Sequence, residues 1–222
     1  MVRSESSKPP EVLFLCQKKT LSYACDLCKF TSQGFAALAR HRDLHAERRS
    51  VPPPTILPES WSYLTPGIQG WVARVTQQFC PKPGRVLEVG SLDVNGGVRG
   101  SFAAATQYIG IDQEAGEGVD TVLDAHEILA WYGDKVFDTI VCCEMLEHDR
   151  EPWITIRNMQ EALRVGGLLI VSSPIYTFGV HRFPKDYWRL GEDTYRDLVF
   201  EGFEILDLSE VPSSWCGIGR KL

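Results

Sequence analysis

The chain has 222 residues, 44% of them hydrophobic, which is ordinary for a globular protein with one full-sized domain and a small module. No stretch approaches eighteen consecutive apolar residues, and the N-terminal residues lack the apolar core and cleavage site of a secretory signal. Its seven cysteines are an odd number and mostly scattered, which fits a reducing compartment better than a disulfide framework. We therefore expect a cytoplasmic protein with no membrane contact.

Charge is distributed unevenly along the chain. Residues 1–50 carry nine Lys and Arg against five Asp and Glu, whereas the remaining residues carry 14 against 24, and the whole chain has a net charge of −6. An acidic body is not typical of a general polyanion binder. Any nucleic-acid contact should therefore begin in the N-terminal region.

After an N-terminal tail over residues 1–22, residues 23–45 read YACDLCKFTSQGFAALARHRDLH and have the spacing C-x2-C-x12-H-x3-H. A tight turn presents the two thiolates and the two imidazoles share one helical face, so four ligands can converge on a tetrahedral zinc ion. The ligands are Cys25, Cys28, His41 and His45. The segment resembles a ββα C2H2 zinc finger; the alternative is that the four residues merely decorate a helical hairpin.

The role of the finger stays open at this point. In the finger convention the base-reading positions fall on Gly34, Ala37 and Arg40, and only the arginine can donate to a base edge. A lone finger of this kind is not expected to read a DNA sequence, so it contacts either nucleic-acid phosphate or a protein. Residues 46–58, AERRSVPPPTILP, predict a stiff proline-rich linker, with a partner motif as the alternative.

Residues 59–222 predict the main domain, which begins with an amphipathic helix over 66–79. Strands are predicted at the apolar runs VLEV (86–89), YIGID (108–112), VDTVLD (119–124), FDTIVCC (137–143) and GLLIVSS (167–173), and the tail predicts a closing hairpin. Alternation of strands and helices is typical of an α/β fold with a doubly wound, mostly parallel, Rossmann-like sheet.

A second long helix is predicted over 152–164, PWITIRNMQEALR, before the last of these strands. In this prediction Trp153, Ile156, Met159 and Leu163 share its apolar face, and the pair Gly166–Gly167 ends it.

Polar residues stand at the carboxyl ends of the predicted strands, where ligands bind in such sheets. Asp112, at the end of the second strand, can accept hydrogen bonds from both hydroxyls of a ribose. A nicotinamide dehydrogenase would use the same acid, but it needs G-x-G-x-x-G after the first strand, and the sequence from Gly90 to Asp93 breaks that pattern. Dinucleotide binding is therefore the weaker interpretation.

From about residue 60 the chain resembles the class I S-adenosylmethionine-dependent methyltransferases of the type 11 branch. The resemblance is carried, in the family's order, by VLEVGSLDVNGG, YIGID, VLDAHE, FDTIVCCEMLEHD and ALRVGGLLIVSSP. The chain departs from the family in its first loop, which is longer and has fewer glycines than the family's E-x-G-x-G-x-G. The fold and S-adenosylmethionine as cofactor are what the resemblance implies.

The resemblance also implies roles for single residues. Glu88 and Gly90 would neighbour the methionine end, Asp112 the ribose, and Asp124 the adenine. The complete cofactor set is Glu88, Gly90, Ser91, Asn95, Gly96, Asp112, Gln113, Asp124, Ala125, His126, Glu144 and Met145. For each acid taken alone, a helix N-cap or a solvated loop end is the alternative.

The stretch CEMLEHD places Glu144, Glu147 and His148 at the spacing E-x-x-E-H, on one face of a helix. Carboxylate oxygens and an imidazole suit magnesium or manganese. The same spacing is found in ubiquinone-biosynthesis O-methyltransferases and in small-RNA 3′-terminal 2′-O-methyltransferases, and the RNA enzymes add a later histidine, for which His181 is the counterpart. Without a metal, these side chains would cap the helix or touch cofactor and substrate.

These features together predict a methyltransferase that acts on the oxygen of a small-molecule or RNA hydroxyl, with the finger recruiting the acceptor. Its catalytic residues would be Glu144, His148 and His181, the two histidines being the candidate bases. Tyr187 and Trp188 would line a flat acceptor or else be buried in a core. The alternative function is a non-catalytic binding or regulatory protein that uses the finger for partner or nucleic-acid contact.

Overall fold

The computed structural model describes residues 23–24, 31–32, 66–182 and 185–222. Within the predicted finger, Tyr23–Ala24 (β1) and Thr31–Ser32 (β2) pair as antiparallel strands. The predicted tail, the linker, the four zinc ligands and the three base-reading positions lie outside the described residues.

The described residues of the main domain form a seven-stranded sheet. Its strands are Arg85–Val89 (β3), Gln107–Asp112 (β4), Thr121–Val122 (β5), Phe137–Cys143 (β6), Leu163–Pro174 (β7), Phe203–Val211 (β8) and Ser214–Lys221 (β9). They lie in the order β5-β4-β3-β6-β7-β9-β8, with β3 to β7 parallel and β9 antiparallel to both of its neighbours, β7 and β8. The predicted mostly parallel, Rossmann-like sheet is confirmed.

Helices connect the strands on both sides of this sheet. The helices are Pro66–Phe79 (α1), Ile128–Tyr132 (α2), Pro152–Ala162 (α3) and Glu192–Thr194 (α4), with 3-10 turns at Arg99–Phe102, Ala125–Glu127 and Leu146–His148 and a π-helical turn at Tyr195–Val199. In α1 the buried side chains recur at helical spacing, as at Ile68, Val72 and Val75, and its predicted bounds are confirmed.

Both faces of the sheet are buried, which explains why the strands read as continuous apolar runs. On one face Leu87, Ile140 and Leu169 pack in a cluster with α3 and the π-helical turn. On the other face Val86 and Val141 pack in a second cluster with α1. Successive residues of a strand therefore enter different cores.

Two predictions about α3 are wrong. Trp153 is 52% exposed although Ile156 and Met159 are buried, because the buried face is centred on Thr155 and Met159 and Trp153 lies to its side. The helix also ends at Ala162 and β7 begins at the next residue, so the Gly166–Gly167 pair lies within the strand. There the pairing with β6 is irregular: Phe137 pairs with Leu163, whereas Thr139 pairs with Leu168.

In the described part of the chain, no helix has the length and apolar character that a membrane span requires.

Candidate active site

The first acid at the carboxyl edge of the sheet, Glu88, is buried in β3. The Tyr108 hydroxyl donates a 2.8 Å hydrogen bond to its Oε2. Arg99 lies over the Tyr108 ring, with its guanidinium carbon 4.5 Å from the ring centroid, and pairs with Asp120 at 2.6 Å. Burial raises the pKa of Glu88 to about 7, although the hydrogen bond from Tyr108 opposes this shift.

The loop after β3 makes a close approach at Gly90. This residue has a φ of +80°, and its N–H donates to the carbonyl of Ile111 at 2.9 Å. A Cβ at this position would lie 2.5 Å from Cγ of Met145, which follows β6. Glycine is therefore required both for the turn and for the contact between these two loops, which are predicted to bind the cofactor.

Asp112 joins the loops that follow β3 and β4. Its Oδ1 accepts a hydrogen bond from the Glu114 N–H at 2.9 Å, and its Oδ2 faces the Leu92 N–H at 3.4 Å. The Asp93 N–H donates to the carbonyl of Glu117 at 2.9 Å, which adds a second link between the same loops. The carboxylate is thus held at the carboxyl edge by backbone groups.

The remaining residues predicted in these loops differ in exposure. Ser91 is buried, Gln113 is half-buried, and Asn95 and Gly96 are exposed. The Gly96 N–H donates to Oδ1 of Asp93 at 2.6 Å, so the exposed part of the loop is fixed by its own turn.

The segment after β5 is tied to the loop after β6. Asp124 accepts a 2.9 Å hydrogen bond from the His126 N–H, and the Asn158 amide donates to the carbonyls of Ala125 and His126 at 3.0 and 2.9 Å. Nε2 of His126 lies 3.1 and 3.0 Å from the two oxygens of Asp149, and this hydrogen bond raises the pKa of His126. Asp124 therefore acts as an N-cap, whichever ligand it also contacts.

Glu144 stands between β6 and the 3-10 turn and not within a helix, contrary to the predicted helical face. Its φ is +50°, an uncommon conformation for a residue with a side chain. Its carboxylate accepts hydrogen bonds from the hydroxyls of Ser172 and Ser214 at 2.8 and 3.2 Å. Burial, and then the negative charge of Glu147, raises the pKa of Glu144 to about 8.

Glu147, His148 and His181 converge at the same edge. Oε1 of Glu147 lies 3.6 Å from Nε2 of His148 and 3.4 Å from Nε2 of His181, and one ligand atom from each residue falls within 4.8 Å of the others. Glu147 is 0% exposed, and neither of its carboxylate oxygens has a hydrogen-bond partner within the described residues. Burial raises the pKa of Glu147 to about 7. Glu144 lies outside this group of three.

A family model described as a methyltransferase domain matches residues 60–198, which is more than half of the chain. The chain belongs to the methyltransferase-domain family. Membership of this family makes it a methyltransferase.

Solved structures share the fold of this methyltransferase at low sequence identity. The [4+2]-cyclase SpnF has a TM-score of 0.56 and 18% identity over 84% of this chain and 94% of that one. The 1,6-didemethyltoxoflavin-N1-methyltransferase of Burkholderia thailandensis, solved with 1,6-didemethyltoxoflavin and S-adenosylhomocysteine, has a TM-score of 0.57 and 15% identity over 84% and 88%. An S-adenosylmethionine-dependent methyltransferase of Archaeoglobus fulgidus has a TM-score of 0.50 and 17% identity over 69% of this chain and 94% of that one. No curated protein matches the chain.

An aromatic surface of the methyltransferase borders the Glu147 group. The N–H groups of Tyr187 and Trp188 lie 2.7 and 3.4 Å from the carbonyl of Glu147, and their side chains are 41% and 37% exposed. The Trp188 ring meets that of Trp153 edge to face, with centroids 5.9 Å apart. These aromatic side chains therefore lie at the surface beside the site and not in a core. The sequence did not indicate Trp153 as a residue of this surface. The helical phase of Thr155 and Met159 could have placed it outside the buried face of α3.

Proposed function

We propose that this methyltransferase transfers the methyl group of S-adenosylmethionine to a hydroxyl oxygen, with a magnesium or manganese ion held by Glu147, His148 and His181. The observation that carries the proposal is the buried carboxylate of Glu147, which faces two imidazole nitrogens and has no hydrogen-bond partner within the described residues. A buried charge without a partner is costly, and a cation would remove this cost.

The residues present fit such an ion. Carboxylate oxygen and imidazole nitrogen are suitable ligands for magnesium and manganese, and ligand atoms from three residues already lie within 4.8 Å of one another. Glu144 would be the fourth ligand, as its place in the E-x-x-E-H spacing implies. The ion would supply Lewis acidity that lowers the pKa of an acceptor hydroxyl.

The cofactor would bind across the loops that follow β3, β4 and β5. Asp112 would accept hydrogen bonds from the ribose hydroxyls, and Asp124 would stand at the adenine. Gly90 allows the close approach of the loops at Met145, where the methionine end would lie. Methyl transfer is an in-line displacement, so fixing the sulfonium against the acceptor oxygen supplies much of the rate.

The acceptor would enter over the aromatic surface formed by Tyr187, Trp188 and Trp153. Exposed aromatic rings beside the ligand group suit a flat acceptor, either a small molecule or the end of an RNA. The segment 23–45 would bind zinc through its Cys2His2 spacing and recruit the acceptor, by contact with nucleic acid or with protein.

The test is methyl transfer from labelled S-adenosylmethionine to separate pools of RNA, DNA, protein and small metabolites, with zinc-loaded full-length protein. We expect label on a hydroxyl of the RNA or small-metabolite pool, loss of turnover with EDTA, and recovery with added magnesium or manganese. An unchanged rate in EDTA would reject the metal and leave His148 or His181 as the base. Label on DNA or protein alone would reject the hydroxyl acceptor.

A further inference from the structure

The loop that follows β4, residues 113–120, is anchored at its far end by the side chain of Arg99. Nη2 of Arg99 donates hydrogen bonds at 2.8 Å to the carbonyl of Gly118 and at 2.6 Å to Oδ2 of Asp120. The same carboxylate oxygen accepts a 2.7 Å hydrogen bond from the N–H of Gly110, within β4. The loop is therefore closed back onto its own strand, and the arginine fixes the closure.

Arg99 is itself held by the ring of Tyr108, since its guanidinium carbon lies 4.5 Å from the ring centroid. The Tyr108 hydroxyl donates in turn to Oε2 of Glu88 at 2.8 Å, and Glu88 is buried in β3. A planar guanidinium that stacks on an aromatic face is preorganised, so it loses less freedom per hydrogen bond than a lysine would. Arg99 thus links the 3-10 turn at Arg99–Phe102 with β4 and with the loop after it.

The anchored loop packs directly on the loop that follows β3. Gly118 has a φ of +85°, and a Cβ built on it would lie 2.3 Å from the carbonyl oxygen of Ser91, so only glycine allows this approach. The N–H of Asp93 donates to the carbonyl of Glu117 at 2.9 Å and joins the same two loops. A shift of one loop must therefore be shared by the other.

Asp112, the acid proposed to hold the ribose, lies where these two loops meet. Its Oδ1 accepts a hydrogen bond from the N–H of Glu114 at 2.9 Å in one loop, and its Oδ2 faces the N–H of Leu92 at 3.4 Å in the other. The direction of the carboxylate is therefore set by backbone groups of both loops, and Arg99 fixes one of these loops against the other.

We propose that Arg99 is a positioning residue for the cofactor: it holds the loop after β4 against the loop after β3 and thereby fixes the carboxylate of Asp112 for the ribose hydroxyls. The inference rests on the cofactor site of the proposed function. The side chains of Arg99 and Asp120 are 42% and 43% exposed, and a surface ion pair of this kind contributes little to global stability. Its effect is therefore expected on cofactor binding and not on the folding of the domain.

The experiment compares S-adenosylmethionine binding in the wild type, in Arg99→Met and in a matched control, Arg74→Met, by calorimetric titration of the zinc-loaded full chain. Methionine keeps an apolar side chain over the Tyr108 ring but cannot donate to the loop. Arg74 is 51% exposed and also pairs with an aspartate, Asp207, at 2.7 Å. It joins α1 to β8, the edge strand on the opposite side of the sheet from β5, so Arg74→Met should bind the cofactor like the wild type.

The same change is made in the Asp112→Asn background, because a residue that acts through Asp112 has little left to position once that carboxylate is lost. Arg99→Met alone should raise the dissociation constant about 3–10-fold, the equivalent of one ordinary hydrogen bond. In the Asp112→Asn background it should raise the constant by less than about 2-fold, whereas independent contributions would add. A general loss of structure would act equally in both backgrounds, so the comparison separates positioning from stability.

A dissociation constant for Arg99→Met equal to that of Arg74→Met, or an equal rise in the Asp112→Asn background, would overturn the role of Arg99 and leave the proposed function intact. If Arg99→Met fails to fold, Asp120→Asn gives the same comparison, since its amide oxygen can still accept from the N–H of Gly110 while the charge that pairs with Arg99 is gone. Absence of S-adenosylmethionine binding to the wild type would overturn the cofactor site itself.

Discussion

Two neighbouring parts of the carboxyl edge of the sheet hold their acidic side chains in different ways. In the half proposed to bind the cofactor, after β3 to β5 (the cofactor half), Asp112 and Asp124 accept hydrogen bonds from backbone N–H groups of the adjoining loops. In the half proposed to bind the methyl acceptor, after β6 (the acceptor half), Glu147 is fully buried and has no hydrogen-bond partner within the described residues. Buried polar groups in folded proteins are almost always paired.

The comparison separates two uses of a carboxylate. An acid whose oxygens are held by its own loop is preorganised and can accept further hydrogen bonds from a neutral ligand such as a ribose. An acid kept in the interior without a donor lowers the stability of the protein until a cation or a proton arrives. The acceptor half therefore contains an acid that lowers the stability of the metal-free protein, a trade-off that is common at active sites.

The largest effect is expected for Glu147→Gln, which removes the unpaired charge. Loss of a ligand to a catalytic ion costs several kcal/mol of transition-state stabilisation, so the initial rate should fall roughly 100–1,000-fold. The metal-free protein should become more stable by about 1–3 kcal/mol in urea unfolding, because the unsatisfied buried charge is gone. Glu161→Gln, at a half-exposed side chain of α3, is the matched control. Wild-type activity in Glu147→Gln would show that the unpaired acid of the acceptor half has no role in catalysis.

In the cofactor half the sharpest change is Asp112→Asn. A hydrogen bond to a charged group contributes about 1.5–3 kcal/mol, so the dissociation constant of S-adenosylmethionine should rise about 10–100-fold in calorimetric titration. The side-chain amide of the variant would also point its NH₂ group at the N–H of Leu92 or Glu114. Two donors that face each other destabilise the loop. Asp134→Asn, at an exposed acid outside these loops, should bind the cofactor like the wild type. If Asp112→Asn does so too, the ribose lies elsewhere.

The fold could be predicted from the sequence wherever burial on both faces leaves an uninterrupted apolar run, as at residues 168–171. It could not be predicted where pairing overrides a local signal. Gly166–Gly167 is typical of a helix end, but the strand it joins is already paired with β6 from Leu163 onward. Likewise, Trp153 faces solvent in the folded α3, which its apolar side chain alone does not predict.

The candidate site was predictable in part. The spacing of Glu147 and His148 is local and could be read directly, whereas His181 was placed beside them only through a resemblance to known enzymes. The pairing of Asp186 with Arg189 carried no signal in the sequence, because it depends on how Arg189 closes the chain between residues 178 and 189. Contacts between loops are set by the folded chain and have no periodicity from which they could be read.

The smallest effect is expected on the pH dependence of stability, at Glu88. This acid belongs to the cofactor half but is buried, as Glu147 is. Burial raises its pKa from 4.5 to about 7, so between these pH values the folded state holds more protons than the unfolded state. The contribution of Glu88 to stability is therefore present at low pH and declines as the pH rises through 7. Between pH 6 and pH 8 this decline amounts to about 1 kcal/mol. Glu88→Gln should remove it, making the difference in unfolding free energy from the wild type shift by that amount, whereas the exposed Glu117→Gln should give a constant difference. A constant difference for Glu88→Gln as well would mean that the hydrogen bond from Tyr108 is enough to keep Glu88 ionised, as backbone donors hold the other acids of this half.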